Sequence, residues 1–115
     1  MPLLKLETNA PIQEETRKAL LASLSRILTE TLGKPEQYVM VSVSHSEVVM
    51  SGQEGFGALV EVRSIGGLSG EAPRALSQKI CAALKETLGI VGSRVYLNFM
   101  DVEGTNWGWN GDTFG

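Results

Sequence analysis

Leu4 and Leu6 alternate with Lys5 and Glu7 at the start of the chain, the pattern of a half-buried strand over residues 3–7. Asn9-Ala10-Pro11 breaks that pattern and opens a helix, with Glu14 and Glu15 in its first turn, where acidic groups favour the dipole. Leu20, Leu24, Ile27, Leu28 and Leu32 then recur at helical spacing, one face of an amphipathic helix. Gly33 stops it and Pro35 prevents its resumption. From Tyr38 to Ser44 the chain alternates again: Val39, Val41 and Val43 point one way, and Tyr38, Met40, Ser42 and Ser44 the other.

A glycine-containing loop over residues 51–57 leads into a third strand, Ala58 to Ile65, with Val60 and Val62 on one face. Gly66, Gly67 and Gly70 form a turn, with Ser69 the expected N-cap ahead of Pro73. Leu76, Ile80, Ala83, Leu84 and Leu88 mark a second amphipathic helix that Gly89 ends. Val95, Leu97 and Phe99 alternate with Tyr96, Asn98 and Met100 in a fourth strand.

The two halves repeat. Glu30-Thr31-Leu32-Gly33 recurs as Glu86-Thr87-Leu88-Gly89, an offset of 56 residues. The same offset places Leu4 and Leu6 on Val60 and Val62, Leu28 on Leu84, and Val39, Val41 and Val43 on Val95, Leu97 and Phe99. The chain therefore reads as one α+β domain over residues 1–115, built from two tandem strand–helix–strand units of about 2–56 and 57–103. A crossover helix makes the two strands of each unit parallel. The four strands form one sheet with both helices on one face.

That arrangement leaves the second face of the sheet uncovered. It carries Met40, Leu59, Ile65, Tyr96 and Met100, too apolar a set to stay wet, and the sheet has open edges as well. Self-association answers both. The segment 104–115 is rich in glycine yet carries Trp107, Trp109 and Phe114, so it reads as a docking segment rather than a disordered tail.

Composition narrows the function. The net charge of −3 and pI near 5.1, with no basic run, exclude a nucleic-acid footprint. No apolar stretch is long enough to span a bilayer and no signal-peptide core opens the chain, so the expected compartment is the cytosol, with release by a leaderless route left open. Cys81 is the sole cysteine and His45 the sole histidine, so neither a disulfide nor a metal centre is expected. Cys81 reads as a structural thiol on the second helix, and His45 as a solvated residue at a strand end.

The candidate chemistry lies at the start. Met1-Pro2 is open to methionine removal, which leaves Pro2 with a free secondary amine at the first position of a strand. An α-amino group has a pKa of roughly 7.7–8.0. Removal from water and a nearby cation both lower it, and an amine neutral at pH 7 can take a proton and return it. The same opening also serves simply to begin a sheet.

Several motifs spread over the whole chain add to this reading: Met1-Pro2, Thr8-Asn9, Gly33-Lys34-Pro35 with Gln37-Tyr38, Ser64-Ile65-Gly66, Arg94-Val95-Tyr96-Leu97-Asn98, Gly108-Trp109-Asn110 and Thr113-Phe114. Together they resemble the macrophage migration inhibitory factor family of the tautomerase superfamily. The resemblance implies a homotrimer whose sheets line a central barrel, with active sites at the subunit interfaces. It implies cofactor-independent keto–enol tautomerisation of phenylpyruvate-type α-keto acids, and of dopachrome analogues. Pro2 would be the base and then the acid. Lys34 would hold the substrate carboxylate and depress the pKa of Pro2. The Ile65 N–H, next to Ser64, would bind substrate oxygens. Tyr96 and Asn98 would come from a neighbouring subunit, and Tyr38, Trp109 and Phe114 would form the aromatic rim. A receptor-binding, cytokine-like protein with a secondary pocket is the alternative.

Each of these residues also has a plain structural role open to it. Lys34 follows a helix C-terminus, where a cation favours the dipole. Tyr96 and Asn98 suit an interface, and Trp109 and Phe114 suit a core plug. The chain departs from many animal members at a Cys-x-x-Cys pair: Gly57 and Val60 stand there, so thiol–disulfide exchange is not expected. Phe99, Met100 and Trp107 also differ and bear on substrate preference.

Overall fold

The computed structural model describes all 115 residues. Strand β1 (Pro2–Thr8) leads to helix α1 (Glu14–Leu32) and strand β2 (Met40–His45). Strand β3 (Ala58–Ser64), helix α2 (Ala72–Leu88) and strand β4 (Val95–Asp101) repeat that sequence. The sheet order is β2-β1-β3-β4. The strands within each half run parallel, and the halves meet through the antiparallel pair β1/β3. It is the four-stranded mixed sheet with two helices on one face that the patterning predicts.

The core fills the space between sheet and helices. Leu4, Leu6, Val60 and Val62 on the central strands face Leu20, Leu24 and Leu28 of α1 and Leu76, Ile80 and Leu84 of α2. All ten are essentially inaccessible to solvent. The internal repeat is therefore a repeat of core positions: Leu20, Leu24 and Leu28 correspond to Leu76, Ile80 and Leu84 at the 56-residue offset. Both helices end on a left-handed glycine, Gly33 at φ 66° and Gly89 at φ 71°, a conformation that costs other residues a Cβ clash.

Three of the boundaries that differ from the patterning do so for a local reason. Helix α2 starts at Ala72 with Glu71 as its N-cap, not at Ser69. With Ser69 as cap, Pro73 would occupy the fourth helical position, the first whose N–H needs an intrahelical acceptor, and proline has none. Starting at Ala72 puts Pro73 in the first turn, where no N–H is required. Strand β2 begins at Met40 because Glu36–Tyr38 form a 3-10 turn after Pro35. Strand β3 ends at Ser64, and Ile65 enters a bend completed by Gly66 and Gly67, both at positive φ.

The loop before β3 is fastened from two sides. Arg94 donates to the carbonyls of Phe56 at 2.8 Å, Gln53 and Gly55 at 3.2 Å, and Met50 at 3.3 Å. Asn9 donates to the Gly55 carbonyl at 2.8 Å and accepts the Gly57 N–H at 2.9 Å. The Thr8-Asn9 motif is thus accounted for by the joint between β1 and β3. No helix is long and apolar enough to cross a membrane.

The open face exposes Met40, Leu59, Tyr96 and Met100 on the single chain, with Ile65 half-buried, beside the charged Lys5, Glu7, Glu61 and Arg63 of the central strands. On the covered face, the paired core positions predict paired costs. Leu28→Ala and Leu84→Ala should each destabilise the fold by about 2–5 kcal/mol, read from the denaturation midpoint at unchanged slope. A loss below ~1 kcal/mol at either position would contradict the equivalence of the halves.

Candidate active site

The site forms where β1 begins. Pro2 is the first residue of that strand and is buried, paired with Ser64 on β3. Proline is tolerated at a strand's first position because the ladder needs no N–H there. Beside it a cleft of about 340 Å³ opens between the strand starts and the C-terminal segment, lined mainly by Pro2, Leu3, Tyr38, Met40, Trp107 and Trp109. Its walls are predominantly apolar, so a charge placed there is felt strongly.

The amine at the chain start is held below the ordinary α-amino range, first by burial and second by the Lys34 ammonium. In this chain that amine belongs to Met1, and the Pro2 nitrogen is an amide. Loss of Met1 moves the amine one residue inward, to Pro2, which is buried in the chain that retains Met1. Lys34 follows Gly33 out of α1, and its Nζ donates to the Ile65 carbonyl at 3.0 Å. The two motifs Gly33-Lys34-Pro35 and Ser64-Ile65-Gly66 therefore meet in space. The three ion pairs of the chain, Arg17–Glu14, Arg63–Glu61 and Arg74–Glu71, all lie elsewhere, so Lys34 has no carboxylate partner.

The aromatic rim comes from the C-terminal segment. Gly104–Asn106 makes a 3-10 turn, after which β5 (Gly108–Trp109) and β6 (Asp112–Thr113) pair as a short hairpin. Its turn is Asn110-Gly111, both at positive φ (54° and 84°), the dipeptide that such a two-residue turn demands. Trp109 meets Tyr38 edge-on, with centroids 6.4 Å apart at 85°, and stacks on Phe114 at 6.0 Å and 18°. The Phe114 N–H donates to the carbonyls of Gly104 at 3.1 Å and Trp107 at 3.2 Å, which pins the segment to itself.

The chain thus brings together Pro2, Lys34, Ser64, Ile65, Tyr38, Trp109 and Phe114 around one region. Pro2, Tyr38 and Trp109 line the cleft, and Phe114 backs Trp109. Ser64 is fully buried, and neither it nor Lys34 nor Ile65 lines the cleft. Tyr96 and Asn98 are not brought near. They face solvent on β4, opposite Leu59 and Glu61, which in turn lie opposite Glu7 and Lys5. At roughly 3.3 Å per residue and 4.8 Å per strand, they stand roughly 14–19 Å from Pro2. The patterning did not single out Leu3, Met40 and Trp107 as lining residues. Trp107 and Met40 carried the available signal, as large apolar side chains with no place in the core.

The other groups are unremarkable in chemistry. A larger cleft of about 610 Å³ lies at the opposite end of the sheet, by Asn9, His45, Glu47 and Glu54, without a buried base beside a cation. His45 is exposed at the end of β2. Cys81 is half-buried, and burial pushes its thiol up, away from reactivity. No three His, Cys, Asp or Glu side chains gather closely enough to hold a metal ion.

The comparisons with known proteins agree with this geometry. The family model described as "Macrophage migration inhibitory factor (MIF)" matches residues 1–115. A macrophage migration inhibitory factor homolog of Trichuris trichiura is 39% identical over 118 residues, covering 99% of this chain and all of the relative. The Mus musculus macrophage migration inhibitory factor is 36% identical over 115 residues, covering 99% of both. Among solved structures, the homologue from Prochlorococcus marinus superposes with a TM-score of 0.94 at 39% identity, over 98% of this chain and 99% of that one. The Entamoeba histolytica MIF-like protein gives 0.95 at 34%, over 98% of both. The chain belongs to the macrophage migration inhibitory factor family of the tautomerase superfamily.

The rim's attachment can be checked at Gly104. A Cβ there would sit 2.9 Å from the Phe114 carbonyl oxygen, too close for backbone to tolerate. Gly104→Ala should therefore loosen the hairpin without unfolding the sheet. Amide exchange at Phe114 should accelerate by about tenfold or more while core amides of β1 and β3 keep their protection. Unchanged exchange at Phe114 would show that the segment is held from elsewhere.

Proposed function

We propose that this protein is a cofactor-independent keto–enol tautomerase of phenylpyruvate-type aromatic α-keto acids, with dopachrome analogues in the same class, and that Pro2 is its general base and acid. The observation that carries the proposal is the pairing of a buried strand-start Pro2 with Lys34, a cation that has no carboxylate of its own. Once Met1 is removed, the burial and the Lys34 cation that lower the pKa of the chain-start amine act on the Pro2 secondary amine and favour its neutral, basic form.

The chemistry follows from the parts. The substrate carboxylate settles against Lys34 and its aromatic ring enters the apolar cleft between Tyr38 and Trp109. Pro2 takes the proton from the carbon next to the keto group. The charge that develops on the keto oxygen is met by the Ile65 N–H and by donors from a neighbouring chain. Pro2 then returns the proton to that oxygen, and no net proton is consumed. The reverse passage makes the keto form from the enol.

The neighbouring chain enters because one copy is incomplete. Tyr96 and Asn98 lie on the uncovered face of an outer strand, well away from Pro2 of their own chain. A homotrimer that packs the open faces together covers Met40, Leu59, Tyr96 and Met100 and brings Tyr96 and Asn98 of one copy to the Pro2 cleft of the next. A second reading, a receptor-binding cytokine-like protein, draws on the names of the relatives. In it the same cleft is inherited and the outer surface acts.

Three preparations separate these readings by the rate of phenylpyruvate enol–keto conversion. Met1-processed protein should work well above buffer. Pro2→Gly, which keeps a primary amine but loses the ring, should fall by about 100-fold or more. Protein with Met1 retained should fall as far, because its Pro2 nitrogen is an amide. A processed, folded protein without activity above buffer would sink the tautomerase reading for this substrate class. Lys34→Ala provides the pH arm. The cation lowers the amine pKa, so its loss raises it, and the acid limb of kcat/KM should move to higher pH while KM for the anionic substrate rises. An acid limb that stays in place would remove Lys34 from the field of Pro2.

A further inference from the structure

The two ends of the central β1/β3 pair are equivalent by the internal repeat, and they differ in the hydrogen bonding of one buried hydroxyl. β1 and β3 are antiparallel, so Thr8 lies opposite Ala58 at one end and Pro2 opposite Ser64 at the other. The 56-residue offset that matches the core also places Thr8 on Ser64 and Gly57 on Met1. The match is close in this region of the fold: the 3-10 turns at 36–38 and 92–94 coincide under it, and so do the glycine caps of both helices.

At the first end, the fully buried Thr8 hydroxyl donates to the Gly57 carbonyl at 2.7 Å and accepts the Ala10 N–H at 3.1 Å. At the second end Ser64 is just as buried, and its Oγ has no partner. A buried hydroxyl left unpaired is destabilising, and each such group in a native protein calls for an explanation. The acceptor equivalent to the Gly57 carbonyl is the Met1 carbonyl, and with Met1 in place the Ser64 Oγ does not bond it. The group paired with Ser64 is Pro2, whose nitrogen is an amide without an N–H until Met1 leaves and gains one to donate only then.

We infer that Ser64 is a positioning residue for the Pro2 amine: its Oγ accepts the single N–H of the neutral secondary amine from the core side, and so aims the lone pair into the cleft. This rests on Pro2 being the base. A proline amine keeps one N–H and one lone pair on a nitrogen that can invert, and only one arrangement faces the substrate. Ser64 selects it. The substrate proton then adds on the cleft side and leaves from the cleft side, while the N–H to Ser64 is never exchanged with substrate.

The bond is stronger to the protonated amine than to the neutral one, because one partner is then charged. Ser64 therefore raises the amine pKa, against burial and Lys34, which lower it. The other ionisable groups around Pro2 are Tyr38 on the 3-10 turn, Asp101 opposite Ser64 on β4, and Arg63 opposite Leu3.

The test is a titration of the Pro2 amine, followed through its nitrogen resonance in Met1-processed protein labelled at proline. It needs no substrate. Ser64→Ala should lower the amine pKa by about half a pH unit or more, and Ser64→Thr, which installs the residue of the equivalent end, should leave it near the parent value. In parallel, kcat for phenylpyruvate should fall about tenfold in Ser64→Ala with KM little changed, and recover in Ser64→Thr. An amine that titrates alike in all three proteins overturns the proposal. So does a Ser64→Thr that behaves as Ser64→Ala. Should Ser64→Ala not fold, the crystal structure of the processed parent decides: a Ser64 Oγ to Pro2 N distance of about 3.2 Å or less supports the bond and one beyond about 3.5 Å refutes it. A failure of Pro2 as base would show separately, as an acid limb of kcat/KM in the parent that does not follow the amine titration.

Discussion

The antiparallel pairing of β1 with β3 is the interaction on which the rest of the structure depends. It sets Leu4 against Val62 and Leu6 against Val60, four fully buried positions that seat both helices. Because the pairing is antiparallel, it relates the halves by an approximate two-fold and makes the two ends of the pair equivalent in backbone. The ends then diverge in use. At one, Thr8 and Asn9 tie the loop before β3 to the sheet, with Arg94 holding that loop through four carbonyls. At the other, the strand simply starts, and the tie is replaced by a chain terminus. In the proposed Met1-processed form, the free amine would lie at the joint equivalent to that of Thr8 and Asn9.

The second constraint is that two helices cover only one face of four strands. The uncovered face carries large side chains that no element of the chain reaches, and the positions of Tyr96 and Asn98 follow from strand order. β4 is an edge strand two places from β1, so its outward residues cannot meet Pro2 of the same copy. A site that uses all of the family's motifs must therefore be shared between copies. In the proposed homotrimer the same association would meet both the apolar cost of the open face and the incompleteness of the cleft, and so would couple assembly to activity.

Much of this could be read from residue order, and the exceptions are physical. The helix cores were legible because leucines recur at helical spacing, and the sheet because valines alternate. The repeat gave parallel pairing within each half through the crossover rule. The start of α2 was misplaced because Ser69 carries a capping side chain, whereas the position of Pro73 governs where the helix can begin. The hairpin of the C-terminal segment was signalled by Asn110-Gly111, a turn dipeptide, but its strands are two residues each and too short to show alternation. The cleft was legible only in part. Pro2, Tyr38 and Trp109 stand out by type, while Leu3 and Met40 reach the cleft through the register of β1 with β2, where they are directly paired. No periodicity in the chain encodes that a paired position also borders a void.

The electrostatics of the site can be argued one step further. Lys34 is half-buried, bonded to a carbonyl and free of any carboxylate, and it lowers the basicity of the neighbouring amine. Burial and that cation both favour the neutral form of the amine, the form that accepts a proton. Under the proposed function, an α-keto acid would bring the missing carboxylate. Once it neutralises Lys34, the depression of the amine is relieved and its affinity for a proton rises at the moment a substrate proton is at hand. The predominantly apolar walls of the cleft strengthen this response by lowering the local dielectric. An uncharged ketone of the same shape would fill the cleft but leave Lys34 unpaired and the amine a weaker base. Selectivity for α-keto acids over simple ketones would then appear in kcat as well as in KM, because the carboxylate tunes the base that acts on it.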